Sequence, residues 1–206
     1  MLVSNESLFL KPKQKRYYLS MSQNLEFVDL VDSTGQIQQK GIPRTEIDRF
    51  PDLHLQIVIV VVFDSQGRIL VHKRGMSKKV NPGDIDHICG GVHSSESVEQ
   101  AASRETLEEA GIEPDKLEVV LKGVNKYNRY RTLLIGESTK EPKVMDSTEV
   151  EWVRFIHPDE LKTKMNSGEF TFVDEFFEDT ALAVQQRETN EVRRAKLGGL
   201  NEKLRK

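Results

Sequence analysis

Residues 89–112 read CGGVHSSESVEQAASRETLEEAGI, and this stretch decides how the chain is to be read. A glycine pair, Gly90-Gly91, leads through a polar turn into a run from Val98 to Ala110 with helical periodicity. Ser95 or Ser97 is placed to cap that helix, and Gly111 to end it in a left-handed conformation. Glu105, Glu108 and Glu109 stand at i, i+3 and i+4, so they share a sector of roughly 100° on one helix face. Like charges at these spacings repel by roughly a few tenths of a kcal/mol per pair. The cluster therefore adds nothing to helix stability, and Arg104, four residues before Glu108, offsets only part of the cost. Thr106, Leu107 and Ala110 fall on the other side, where they can face a core.

Carboxylates gathered in this way suit a hard divalent cation such as Mg2+ or Mn2+, which takes oxygen ligands and keeps waters for phosphates to replace. Three glutamates alone would serve equally as a solvated acidic face. The residues in front of them separate the two readings. Gly90, five residues, Glu96, seven residues and then Arg104-Glu105-Thr106-Leu107-Glu108-Glu109-Ala110-Gly111-Ile112 agree with the Nudix signature at all seven of its fixed letters. At background frequencies, chance agreement at a given start is on the order of 10^-8. One soft position differs, since an aliphatic residue is usual where Thr106 stands.

The chain thus resembles the Nudix hydrolase superfamily, over roughly Leu25 to Glu160. The resemblance implies an α/β fold, an α/β/α sandwich with a mixed β-sheet flanked by helices. It implies that Glu105 and Glu109 ligate the metal, with Glu108 close by and the backbone carbonyl of Cys89 completing the site. Arg104, with Glu96, would orient the carboxylates. The implied cofactor is Mg2+ or Mn2+, and the implied reaction is attack of an activated water on a diphosphate linkage of a small molecule. A general base outside the signature is expected, with Glu137, Asp146 and Glu149 as candidates.

A narrower resemblance, to isopentenyl-diphosphate isomerase and related hydrolases, rests on Leu53-His54-Leu55, Ser77-Lys78-Lys79, Pro82-Gly83 and Cys89-Gly90. It implies that Arg74 and Lys78, with Gly90 and Gly91, lie against the substrate diphosphate. The departures favour hydrolysis. Gly91 replaces a metal-binding histidine, Ile47 replaces another, and Arg129 to Ile135 lacks the acidic pair the isomerase carries. Isomerisation, and a non-catalytic ligand-binding module, are the rival readings.

Outward from the signature, Leu25–Asp32 and Gln36–Lys40 read as strands joined by Ser33-Thr34-Gly35, and Arg44–Arg49 as a short connector. Leu53–Phe63 is the strongest strand; its β-branched run suggests burial on both faces. Asp64–Gly67 is a hairpin turn into a strand at Arg68–Lys73, and Gly75–Asp86 a polar loop. Leu117–Val124, Tyr130–Gly136 and Glu151–Ile156 are further strands, and helices are expected at Asp159–Met165 and Phe172–Gln186. Phe172, Phe176 and Phe177 have the spacing of core residues, whereas His87 and His93 flank the glycine loop.

The organisation expected is a disordered leader at 1–22, a Nudix domain at 23–187 and a charged helix or tail at 188–206. The 206 residues carry a formal net charge of -3, which gives no sign of a nucleic-acid or membrane partner. The apolar run Ile57–Phe63 is far short of the about 20 residues that span a bilayer. A single cysteine, Cys89, excludes an internal disulfide and fits a reduced, cytoplasmic protein. A homodimer stays open.

Overall fold

The structure is a computed structural model and describes residues 26–204, with side chains to residue 196. The expectation for residues 1–22 lies outside the described residues. Strands β1 (Phe27–Val31) and β2 (Ile37–Pro43) form an antiparallel hairpin, followed by a 3-10 turn at Arg44–Arg49. Strand β3 (His54–Phe63) is the axis of a mixed sheet. It runs parallel to β8 (Arg129–Glu137) in unbroken register, Leu55 opposite Arg129 through Phe63 opposite Glu137. On its other edge lie β1, β6 (Ile88–Gly91) and the end of β4 (Ile69–Arg74). β5 (Ile85–Asp86) and β9 (Val150–Ile156) pair with β4, and β7 (Asp115–Val124) with β8.

The β-branched run in β3 is buried on both faces, as its composition requires. Val58, Val60 and Val62 face Ala101, Ala102 and Ala110 of helix α1 (Val98–Ala110). Ile59, Val61 and Phe63 face Leu161 of helix α2 (Pro158–Asn166) and Phe176 and Ala183 of helix α3 (Phe176–Leu204). The sheet is therefore flanked by helices on both sides, as expected. Among the described residues, no helix is long and apolar enough to cross a membrane.

Three local expectations are corrected. The last helix does not begin at Phe172, because the backbone of residues 171–173 bonds to Ile85: Ile85 N–H donates to Thr171 O and Val173 N–H to Ile85 O. It starts at Phe176 and continues without a break past Gln186 to Leu204. Ile85-Asp86, read as loop, forms β5 against His72 and Lys73. Leu107 is 43% exposed, since the face of α1 against the sheet is set by Ala102, Thr106, Glu109 and Ala110.

Candidate active site

Helix α1 begins at Ser97, whose side chain accepts from Gln100 N–H while the Gln100 side chain caps Ser97 N–H. Ser95 is instead left-handed, with φ of 67°. Gly111, at φ 66°, ends the helix. Strand β6 brings Gly90 opposite Val58 on the α1 side of the sheet. A Cβ there would fall inside the Glu105 carboxyl group, so glycine is what leaves the Glu105 carboxylate room to stand where it does.

Arg104 knits the site together. Its Nε donates to Glu96 Oε1 at 2.9 Å and its Nη2 to Glu96 Oε2 at 3.0 Å, a two-pronged grip. Nη2 also reaches Gly91 O at 2.8 Å, and Nη1 reaches Glu105 Oε1 at 2.7 Å and Glu108 Oε2 at 3.2 Å. Glu96 Oε2 additionally accepts His93 N–H at 2.9 Å. Burial opposes ionisation of Glu96, but the Arg104 bonds and the His93 N–H outweigh it and hold the carboxyl below its usual range. For Glu105 burial wins over Arg104, and the carboxyl is pushed up.

Glu109 is the odd member. It is buried on the inner face of α1, 8% exposed. Its Oε2 accepts only a long 3.3 Å bond from Cys89 N–H and lies 3.5 Å from His72 Nδ1. His72 is itself buried, its Nδ1 has no hydrogen-bond partner, and burial drives its pKa to about 3, so the ring is neutral and brings no charge. Burial first, then Glu105 and Asp86, push Glu109 well above the ordinary carboxyl range. An interior carboxylate without a cation is costly. The donor set of Glu105 and Glu109, both under-compensated on one side of the glycine strand, is of the hard-oxygen kind that a divalent cation satisfies. Glu108 differs, with its side chain 58% exposed.

On the other face of β6, Cys89 borders a cavity of about 260 Å³ between the sheet and the start of α3. Arg74 lines it, with Nη1 donating to Asp86 Oδ2 at 2.9 Å. Lys78 turns aside, its Nζ bonded to Glu149 Oε2 at 2.6 Å. Glu137 lies at the far end of β8, tied to Lys116 and Arg194, and Asp146 caps its own turn through Thr148. Sequence reasoning missed Asp86, Glu175 and Asp179, which line this cavity, and read His72, which faces Glu109, as structural or exposed. An acid three residues before Cys89 is a weak cue to the first; nothing in the local pattern marks the others.

The NUDIX domain family matches residues 53–176. An uncharacterized Nudix hydrolase of Yersinia pestis is 38% identical over 90 residues, covering 43% of this chain and 48% of that protein. An isopentenyl-diphosphate Delta-isomerase of Clavibacter michiganensis is 35% identical over 102 residues, 49% of this chain and 52% of its own length. The chain thus spans about half the length of these two relatives. The uncharacterized Nudix hydrolase lin0387 of Listeria innocua is 30% identical over 169 residues, 75% of this chain and 95% of that one. In fold, the chain resembles DR0079 of Deinococcus radiodurans (TM-score 0.61, 22% identity, covering 76% of this chain and 99% of that one). It also resembles the NUDIX domain of Shewanella oneidensis NrtR complexed with ADP ribose (TM-score 0.51, 14% identity, covering 70% and 99%).

Proposed function

This chain belongs to the Nudix family, and we propose that it is a hydrolase, dependent on Mg2+ or Mn2+, that cleaves a diphosphate linkage in a small molecule such as a nucleoside diphosphate derivative. The observation that carries this reading is the buried, under-compensated Glu109 beside Glu105, with Gly90 kept bare to admit the Glu105 carboxylate. Glu105 and Glu109 would hold the metal, with the Cys89 carbonyl at hand. A bound divalent ion supplies neutralisation of phosphoryl charge and a lowered water pKa.

The chain's own residues do the rest. Arg104 holds Glu105 in place and anchors itself on Glu96 and the Gly91 carbonyl, so the carboxylates keep one geometry. Arg74, at the cavity, is held by Asp86 through Nη1 and by the Val80 carbonyl through Nε and Nη2, and its positive charge faces the place where non-bridging diphosphate oxygens would lie. Isomerisation is disfavoured by Gly91, whose carbonyl is taken by Arg104, and by Ile47, which packs in the apolar cluster under the N-terminal hairpin.

The test is a phosphate-release screen over nucleotide sugars, dinucleotides, nucleoside triphosphates and prenyl diphosphates with each metal. Metal-dependent turnover that Glu109→Gln abolishes supports the reading. Isopentenyl isomerisation lost in Cys89→Ala would replace it with the isomerase. Thermal stabilisation by a diphosphate without turnover would make the protein a binding module.

A further inference from the structure

Two cations near the glycine strand are already engaged. Arg74 spends Nη1 on Asp86 and both Nε and Nη2 on the Val80 carbonyl, and Lys78 bonds Glu149. Each lends charge, but neither presents an open planar fork to a phosphate oxygen. An open fork stands elsewhere, on Arg44, at the start of the 3-10 turn after β2 and outside the family-matched residues 53–176.

Strand β6 shows why Arg44 matters. Among the described residues β6 pairs only with β3, so its other edge is open. On that edge Cys89 N–H reaches Glu109, and the Gly91 carbonyl accepts Arg104. Residues two apart on a strand point to one face, so Cys89 and Gly91 share the face opposite to the one where Gly90 meets Glu105. Cys89 borders the cavity that Arg74 lines. Gly91 has no side chain, and Arg44 covers the place where one would stand. A Cβ on Gly91 would lie 3.3 Å from Arg44 Nη1 and 3.8 Å from its Cζ. Arg74 therefore shares the cavity with Cys89 while Arg44 lies over Gly91, and the two strand positions are roughly 7 Å apart.

The backbone at Arg44 is fixed. Its N–H donates to Glu26 O at 2.8 Å, and Ile42 and Ile47 on either side pack into the apolar cluster of the N-terminal hairpin. The side chain is less tied. Nη1 donates to Glu26 Oε2, and among the described residues Nε and Nη2 make no hydrogen bond. The two side chains are 44% and 43% exposed, and an exposed pair contributes roughly 0–1 kcal/mol. The apolar anchors, not this pair, hold the turn. Glu26 also has a second partner, since its Oε1 lies 3.4 Å from His93 Nε2. With its proton on Nε2, His93 keeps Glu26 hydrogen-bonded when Arg44 turns toward an incoming anion.

We propose that Arg44 is a substrate-binding residue, its Nε and Nη2 donating to non-bridging oxygens of the phosphoryl group that lies over Gly91. Arg74 faces the other phosphoryl group with charge alone. A guanidinium fork matches two phosphate oxygens in a way that a point charge does not. The proposal rests on the diphosphate site of the hydrolase reading and adds to it a residue from the N-terminal hairpin.

The test is calorimetric titration of imidodiphosphate, whose P–N–P bridge resists hydrolysis, into the full chain with excess Mg2+. Wild type, Arg44→Gln and Glu26→Gln are compared. Arg44→Gln should weaken binding about tenfold, as for a lost hydrogen bond to a charged group. Glu26→Gln should tighten it about twofold to fivefold, because the guanidinium loses its competing carboxylate. A merely structural ion pair behaves otherwise: both variants break it, so both would shift binding in the same direction or not at all. Either of those results, or no binding to the wild type, overturns the proposal. On a substrate that turns over, Arg44→Gln should raise KM about tenfold, more than it lowers kcat. The titration needs no turnover, so the two readings fail separately. Imidodiphosphate bound through Arg44 by a protein that hydrolyses nothing refutes the hydrolase alone, and a hydrolase indifferent to Arg44→Gln refutes this proposal alone.

Discussion

The Asp29 carboxylate accepts the Ser94 hydroxyl at 2.6 Å, and this bond ties a strand outside the family-matched residues 53–176 to the loop that feeds α1. The same carboxylate accepts Gly41 N–H at 2.8 Å and the N–H of left-handed Ser95 at 3.2 Å. Asp29 is 4% exposed, and these bonds outweigh burial to keep its pKa low. Because the loop continues into Glu96, Asp29 acts as a positioning residue. Asp29→Ala should cost roughly 1–3 kcal/mol of stability and also weaken Mn2+ binding. Asp29→Asn, which keeps the Oδ1 acceptor for Gly41 and Ser94, should restore most of both. Urea unfolding and Mn2+ titration check this; equal losses in the two variants would contradict it.

Glu109 sets function against stability. Glu109→Gln should abolish turnover, yet raise the melting temperature of the metal-free protein, because a buried carboxyl that resists ionisation is replaced by a neutral amide. Added Mg2+ should stabilise the wild type and leave the variant unmoved. Melting curves with and without metal show both effects.

Gly90→Ala probes the approach of β6 to α1. The new methyl meets the mobile end of Glu105 rather than backbone, so the protein should fold with nearly unchanged stability. Metal affinity should fall, because Glu105 must swing away from its place, and kcat should drop by about 10–100-fold. A fully active Gly90→Ala enzyme would show that Glu105 is not held where the structure puts it.

Arg104→Lys keeps the charge but loses the planar fork that grips Glu96 with two nitrogens while reaching Gly91 O. A point charge cannot serve all three directions. Activity should fall about 10–100-fold with little loss of folding. Steady-state kinetics beside circular dichroism separate the two.

Asp179 yields a pH prediction. Burial lifts its pKa from 3.8 to about 6, against the pull of Arg131. A raised carboxyl favours the protonated form in the fold, so its contribution is complete below pH 4 and is lost as pH rises through about 6. Asp179→Asn, neutral throughout, should therefore gain on the wild type between pH 4 and 7. The gap in melting temperature should open by about 2–4 °C per kcal/mol. A gap independent of pH would show that Asp179 is ionised across the range.

The two-sided burial of β3, the capped helix at Val98–Ala110 and the glycine stop were legible in the sequence because each rests on local chemistry: β-branched runs, a capping serine, a left-handed glycine. The pairing of Glu96 with Arg104 was legible through the signature. The start of α3 was not, because residues 171–173 bond to Ile85, far away in sequence. The acid-walled cavity was hidden for the same reason. Arg131, Asp179 and Asp86 come from three elements, and no periodicity links them. Leu107 misled because Thr106, Glu109 and Ala110 already fill the buried face of the helix and leave Leu107 outside it.

The parallel register of β3 with β8 has a consequence for a chain still being made. The strand that holds Gly90 hangs on one edge of β3, while the other edge waits for Arg129–Glu137. Residues 89–112 leave the ribosome whole, yet the sheet beneath them stays half built until another stretch of synthesis has closed that long loop. The helix carries its full set of glutamates well before there is a floor to aim them from, so the nascent chain is spelled out long before it can act.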